Sequence, residues 1–287
     1  MTKLQGVSNK VLGYGLLFCF VFLLAGCTKK FLYSNIDWFV IDYIEDYVSL
    51  QGEQEVLVEE RLLLLAEWHK KEELPLYIDH LKELEGLKAN DITLNYLQEN
   101  RDRMRAHYDR VVSKAAPDLF ALSLQLTKDQ EREFLSNVQE HYQERNAKYA
   151  DKTEDEIREI ILDNTEEWME EWLGSLSESQ RQLAQTFSQQ VTLNSPLWRG
   201  YRATIYQELE YLFDNKSNAV TYQDIFMRLL FEPESYYSEQ LSKNIDSNFV
   251  LVDQLTLDIS QSMTDKQWRH FRGKVKEWRV LAEELLD

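Results

Sequence analysis

Hydrophobic residues recur at intervals of three and four positions along most of the chain after residue 35. The first such segment includes Ile36, Val40, Tyr43 and Tyr47, and similar segments follow as far as Leu285. This spacing places apolar side chains on one side of an α-helix, whereas no stretch shows the alternation that a half-buried β-strand requires. The pattern predicts an all-α fold of roughly nine or ten amphipathic helices.

Prolines mark positions where several of these helices are expected to end. Pro75 is expected to interrupt the second helix, Pro117 to end another, and Pro196 to lie in a short break. Because no break has the composition of a flexible linker, we expect residues 34–287 to form a single multi-helix domain. The run Leu62–Leu65 is apolar around most of the helix circumference, so we expect it to lie in the core.

The first 26 residues have the organisation of a secretory signal peptide. Lys3 and Lys10 precede an apolar stretch, Val11–Leu24, of about 14 residues. This stretch is shorter than the roughly 20 residues of a membrane-spanning helix. The alternative is a short N-terminal anchor that is never cleaved.

The end of the apolar stretch, Leu24-Ala25-Gly26-Cys27, resembles the lipobox of bacterial lipoproteins. In that family the cysteine thiol receives a diacylglycerol, the chain is cut before the cysteine, and the new amino group is acylated. The resemblance implies a signal peptide over residues 1–26, a lipidated tether over residues 27–33 and an anchor in the membrane through Cys27. Thr28, in place of an aspartate, implies sorting to the outer membrane, facing the periplasm.

Cleavage would change the charge and the thiol content of the chain. The formal net charge of the full sequence is −18, and residues 1–26 carry two lysines and no acid, so the mature chain would carry −20. Cys19 would be removed and Cys27 capped by lipid, which excludes disulfides and cysteine-ligated metals. A net charge of this sign also argues against a nucleic-acid partner.

One local motif occurs three times, each time before a predicted helix. It consists of an apolar residue, Ser or Thr, two variable residues and Gln, in Leu126–Gln130, Leu176–Gln180 and Met263–Gln267. These are capping boxes, in which the hydroxyl and the glutamine satisfy amide groups at the helix start. Thr153–Glu156 is a related box with a carboxylate. The motif also resembles the LTxxQ signature of the Spy/CpxP-type periplasmic chaperones, which implies a chaperone or stress-related role.

The residues that follow the tether carry a second resemblance. Tyr33-Ser34-Asn35-Ile36-Asp37-Trp38 looks like the start of a family of Gram-negative envelope lipoproteins whose members have no assigned function. The resemblance implies membership over most of the mature chain and implies no activity.

Catalytic and cofactor motifs are absent from the sequence. The five histidines form no H-E-x-x-H motif, and there is no G-x-S-x-G elbow or phosphate-binding glycine loop. We therefore expect no enzyme activity, cofactor or metal site. The alternative is a hydrolase acting on peptidoglycan or another envelope component, with Asp37 and Asp42 beside Trp38, or the pair Trp168 and Trp172, as its site.

Charge is unevenly distributed over two of the predicted helices. Residues 151–171 are strongly acidic, whereas residues 264–280 are basic. The candidate interaction face combines a basic stripe at helical spacing with two tryptophans one turn apart on the acidic helix: Arg269, Arg272, Lys276, Arg279, Trp168 and Trp172. Two interpretations stay open. Either the stripe neutralises acidic helices within the fold, or it docks lipid phosphates or an acidic partner.

Together these features predict an outer-membrane lipoprotein that acts without catalysis. A tethered acidic body with 44% hydrophobic residues has apolar surface with which to bind envelope proteins or stabilise the envelope.

Overall fold

The computed structural model describes residues 36–286, and every regular element within them is helical. The signal peptide, the tether and Cys27 lie outside these residues. The eleven α-helices are α1 (Ile36–Glu45), α2 (Gly52–Trp68), α3 (Leu74–Gly86), α4 (Leu94–Gln125), α5 (Lys128–Ala147), α6 (Glu154–Leu173), α7 (Glu178–Gln190), α8 (Ser195–Asp214), α9 (Ala219–Phe231), α10 (Glu239–Ser262) and α11 (Asp265–Leu286). The predicted all-α fold is confirmed, with α2 and α3 joined into one continuous rod.

A π turn joins α2 to α3, so the predicted interruption at Pro75 is wrong. The turn covers His69–Glu73, and the Leu74 N–H donates to the His69 carbonyl, one residue further back than in an α-helix. A proline ring clashes with the carbonyl four residues earlier in a regular helix. The wider π turn directly before Pro75 relieves this conflict, and the rod continues without a break.

Pro117 does not end its helix either, because α4 continues to Gln125. Proline inside a helix costs about 3 kcal/mol. Phe120, one turn beyond the proline, packs against a buried cluster that contains Tyr222 and Ile225 of α9. Burial of that aromatic ring offsets the loss of one backbone hydrogen bond.

The leucine run of α2 is not central to the core, contrary to expectation. Only Gln54 and Val58 of α2 are buried, whereas Leu63 and Leu64 are exposed. Among the described residues, α2 has a single long neighbour along its length, α4, and it also contacts the short helix α1. One neighbour covers one face of a helix, so the other side of the leucine run lies open.

The rod packs antiparallel to α4 along its whole length. Contacts pair Arg61 with Asp118 near one end and His80 with Asn100 near the other. The opposite face of α3 packs against α11, also antiparallel, where Arg279 Nε donates to Glu85 Oε2 at 2.8 Å. Helix α3 therefore lies between two long helices.

Three separate clusters of buried apolar residues form the core. The first joins α3 to α11, the second joins α6, α7 and α10, and the third joins α8 and α9 with side chains from α4 and α5. Leu126, Leu176 and Met263, the apolar residues that begin the three predicted capping motifs, all pack against these clusters. The motifs thus connect each helix start to the nearest core.

All four predicted capping boxes are confirmed. In the first, the Thr127 hydroxyl accepts from the Gln130 N–H, and Gln130 Oε1 accepts from the Thr127 N–H at 2.9 Å. The boxes that begin with Ser177, Thr264 and Thr153 have the same geometry. A further box was missed, because the cap residue there is Gln51 and not Ser or Thr.

The glutamines of the capping boxes pair with one another inside the protein. Gln130 Nε2 donates to Gln54 Oε1 at 2.6 Å, and the reverse bond is 3.3 Å. Gln267 Nε2 donates to Gln180 Oε1 at 2.8 Å, and the reverse bond is 3.2 Å. All four residues are buried. One pair joins the starts of α2 and α5, and the other joins those of α7 and α11.

Removal of a paired glutamine should destabilise the fold far more than removal of an exposed capping residue. In Gln180→Ala, the buried Gln267 side chain loses both of its bonds to Gln180 and keeps only those to Ser175 and Thr264. The Ser177 N–H also loses its acceptor, and together these losses should lower the free energy of unfolding by about 1–3 kcal/mol. The matched change Glu156→Ala removes the same position from an exposed box and should cost much less. Urea unfolding of both variants tests this, and equal losses would contradict it.

Candidate functional site

A buried chain of polar side chains connects the π turn to α4. His107 Nε2 lies 3.3 Å from His80 Nδ1, and His80 Nε2 lies 2.6 Å from Asn100 Oδ1. At the other end, His107 Nδ1 lies 3.4 Å from Glu73 Oε2. Glu73 is only 1% exposed and His80 only 3%. This is the densest group of ionisable side chains in the described interior.

Helical spacing explains why these residues meet. Glu73 and His80 are seven positions apart on the rod, and Asn100 and His107 are seven apart on α4, so each pair occupies one face. Since the two helices run antiparallel, the faces oppose each other. The apolar side of α3 is used elsewhere, because Leu74 and the residues near it pack against α11.

Arg110 supplies the positive charge that Glu73 needs. Its Nε donates to Glu73 Oε1, and its Nη2 donates to Glu73 Oε2 at 3.0 Å. The arginine side chain is 40% exposed, so it reaches from solvent to the buried carboxylate. A buried carboxylate without such a partner would be strongly unfavourable.

Arg110 also fixes the direction of the hydrogen bonds. Its Nη2 lies 2.6 Å from His107 Nδ1, and a guanidinium only donates, so Nδ1 must accept. The proton of His107 is then on Nε2 and is donated to His80 Nδ1. The proton of His80 is in turn on Nε2 and is donated to the Asn100 carbonyl oxygen. Both imidazoles are therefore neutral and in the same tautomer.

Burial favours this neutral state. It lowers the pKa of both His80 and His107, although the Asn100 and Glu73 contacts act in the opposite direction. Burial also lowers the pKa of His69, in the same π turn, to about 4. The chain ends on an amide, and its carboxylate, that of Glu73, is paired with Arg110. Its hydrogen bonds can fix how α3 packs against α4, and its two neutral imidazoles can accept protons at low pH.

The predicted basic stripe on α11 divides into two pairs. Arg279 donates to Glu85 and Glu283, and Arg272 Nη2 donates to the Leu87 carbonyl at 3.1 Å. Arg269 and Lys276 are exposed, and neither forms an ion pair within residues 36–286. Within the described residues, ion pairing inside the fold therefore neutralises Arg279 alone among the four stripe residues.

The two predicted tryptophans differ in their surroundings. Trp172 is half-buried and its ring centroid lies 6.0 Å from that of Phe271 on α11. Trp168, one turn earlier, is 54% exposed. The acidic alternative near the N-terminus lies on α1, where Trp38 and Asp42 are exposed, and the side chain of Asp37 lies outside the described residues.

Two features of the structure were missed from the sequence. The histidine chain joins His80 to His107, which are 27 positions apart in the sequence. Its only trace in the sequence was that polar residues seven positions apart occur on a mainly apolar side of a helix. The second is an exposed apolar surface on α2, here called the α2 face and consisting of Val56, Leu63 and Leu64. These residues share one side of the helix at intervals of seven and eight.

Comparison with known proteins identifies a family. A family model described as a family of unknown function, DUF6279, matches residues 46–242. The chain belongs to DUF6279. This agrees with the expectation of an uncharacterised family, although the match begins after the Tyr33–Trp38 motif. It covers α2 to α9, with both partners of the histidine chain, and ends before α11. No curated protein and no solved structure gives a match.

Metal-binding groups and membrane-spanning helices are both absent from the part of the chain that the structure describes. Within residues 36–286, no group of three or more His, Cys, Asp or Glu side chains is arranged to hold a metal ion. In the same part of the chain, no helix combines the length and the apolar character needed to cross a bilayer.

The depressed histidine pKa values predict a loss of stability in mild acid. Below pH 6.5 the unfolded chain binds protons at His69, whereas the folded protein does not until about pH 4. The free energy of unfolding should therefore fall as the pH decreases through this range, by up to about 1.4 kcal/mol per pH unit for each such histidine. Urea unfolding between pH 5 and 7 should show a shallower slope for His69→Phe than for the unsubstituted protein. Identical slopes would contradict the assignment.

Proposed function

We propose that this DUF6279 protein is a lipoprotein, tethered through Cys27 to the periplasmic face of the outer membrane, that binds envelope proteins without catalysing a reaction. The observation that carries the proposal is which side chains are buried and which are exposed. Ionisable groups of the catalytic type are enclosed, whereas large apolar groups lie on the surface.

The enclosed groups are poorly placed for chemistry. A general acid or base must come within about 3 Å of the atom that gains or loses the proton. The carboxylate of Glu73 and the rings of His80 and His107 are each more than nine-tenths covered, and all are engaged with one another. This weakens the alternative of an envelope hydrolase.

The α2 face provides contact area for a protein. Leu64 is 60% exposed, and Val56 and Leu63 are exposed beside it. Glu60 and Glu67 project from the same side of the helix. A partner with an apolar stripe bordered by basic residues would complement this surface, with the charges setting orientation and association rate. The Spy/CpxP-like chaperone role is a narrower alternative, but the glutamines of its motif are used inside the fold.

Lipidation can be tested directly in cells. Labelled palmitate should be incorporated into the protein and should be absent from Cys27→Ser, because the thiol is the acceptor in the proposed processing. Fractionation should place the unsubstituted protein with the outer membrane and the variant in the soluble periplasm. Recovery of the unsubstituted protein without label in the soluble fraction would refute the anchor.

Binding through the α2 face predicts position-specific crosslinks. A photo-reactive residue in place of Leu64 should capture defined envelope proteins in cells, and the added substitution Leu63→Glu should abolish the adducts. Because Leu63 is exposed, this change should alter stability by no more than about 0.5 kcal/mol.

The matched control places the photo-reactive residue at Glu55, which is exposed on another side of the same helix. It should capture none of these proteins. Equal capture at both positions would show random collision. No capture at Leu64, together with altered peptidoglycan fragments in a deletion strain, would favour the hydrolase.

A further inference from the structure

Three arginines without acidic partners lie together where the end of α5 meets the start of α8. They are Arg145 on α5 and Arg199 and Arg202 on α8. Within the described residues none of them forms an ion pair, although acids exceed bases in the chain by 50 to 32. Arg145 and Arg202 are half-buried, and Arg199 is exposed. Other half-buried arginines have acidic partners, as Arg101 has in Asp253 through bonds of 2.7 and 2.9 Å, although the half-buried Arg272 and the exposed Arg228 form no ion pair among the described residues. The cluster is a concentration of positive charge that the fold does not neutralise.

Arg202 is fixed in position by a neutral group. Its Nε and Nη2 both donate to Asn146 Oδ1, at 2.9 and 2.6 Å. An amide oxygen orients a guanidinium without compensating its charge, and three of the five N–H donors are left for another acceptor. Burial, and then the charges of Arg145 and Arg199, lower the pKa of Arg202. The three like charges therefore disfavour one another, as expected where a ligand supplies the opposite charge.

Aromatic side chains frame the cluster. The rings of Trp198, Tyr201 and Tyr237 pack edge to face, with centroids 5.0–5.6 Å apart, and fix the first turns of α8. Burial raises the pKa of Tyr142 on α5, and the positive charges of Arg145 and Arg202 oppose that shift, so the three side chains are neighbours. Glu144, next to Arg145 in the chain, has its Oε2 3.8 Å from His141 Nδ1, and Glu234 Oε1 lies 2.6 Å from Arg105 Nη2.

The chemistry of the site is almost purely that of a hydrogen-bond donor. Guanidinium groups match the several acceptor oxygens of a phosphate better than they match a single carbonyl. We infer that Arg145, Arg199 and Arg202 form a binding site for a phosphate group.

The position of the site favours a phospholipid headgroup as the source of that phosphate. The turn that follows α1 is attached to α5, because Asn137 Nδ2 donates to the Tyr47 carbonyl at 3.0 Å and the centroid of the Tyr47 ring lies 4.8 Å from that of His141. Nine residues separate Ile36 from Cys27, a reach of at most about 30 Å. The choice of headgroup rests on the proposed lipid tether, whereas the phosphate chemistry does not.

The test uses the full-length protein in neutral detergent, titrated with sodium phosphate against sodium chloride of equal ionic strength. Phosphate should raise the melting temperature in a saturable way, because a ligand that binds only the folded state stabilises it. In the double variant Arg145→Gln and Arg199→Gln, the apparent affinity should fall at least tenfold. Its melting temperature without phosphate should be equal or higher, since two mutually repelling charges are gone.

The matched control is Lys88→Gln with Lys266→Gln, which removes the same charge from exposed cations outside α5 and α8 and should retain phosphate binding. No saturable shift in the unsubstituted protein, or equal loss in both double variants, would overturn the site.

A second titration compares dihexanoyl phosphatidylglycerol with dihexanoyl phosphatidylcholine. Stronger binding of the former, lost in the arginine variant, supports the headgroup. No shift with either lipid, with phosphate still bound, overturns the membrane source only. Loss of palmitate labelling would leave the phosphate result unchanged, so the two failures are distinguishable.

Discussion

The arrangement of the long helices depends on two buried pairs of glutamine side chains. The first turn of a helix presents amide N–H groups that have no partner within the helix, and in the interior each of them needs an acceptor. In the pairs Gln54–Gln130 and Gln180–Gln267, each glutamine accepts from the N–H of the residue that caps its own helix and donates to its partner glutamine. Four helix starts are thereby fixed two by two. The apolar clusters form between the helix bodies that extend from these points.

The features that sequence could predict are those set by nearest neighbours along the chain. The capping boxes at Thr127, Ser177 and Thr264 were recognisable because both partners lie three residues apart. The helical periodicity was equally local, and it gave the fold class correctly. The box at Gln51 was missed because a side-chain hydroxyl, the usual signal, is absent there.

The errors arose where tertiary contacts override local preference. Pro75 and Pro117 are helix breakers by intrinsic propensity. A π turn nevertheless keeps the rod of α2 and α3 continuous, and the burial of Phe120 helps to keep α4 continuous. Leu64 is of a residue type that is usually buried, but no helix within residues 36–286 covers that side of α2. The histidine chain and the arginine cluster join residues from different helices. Their assembly depends on antiparallel registers that no single segment encodes.

The π turn sets the phase of α3 relative to α2. The His69–Glu73 turn holds one residue more than an α turn needs, and each residue advances an α-helix by about 100°. If the same residues were in regular α-helical bonding, α3 would be rotated by that angle, so that Glu73 and His80 would leave α4 and the apolar side would leave α11. Deletion of one codon within this turn would instead leave Leu74 four positions after His69. The same two residues could then form a regular α-helical bond, and both faces of α3 would keep their partners.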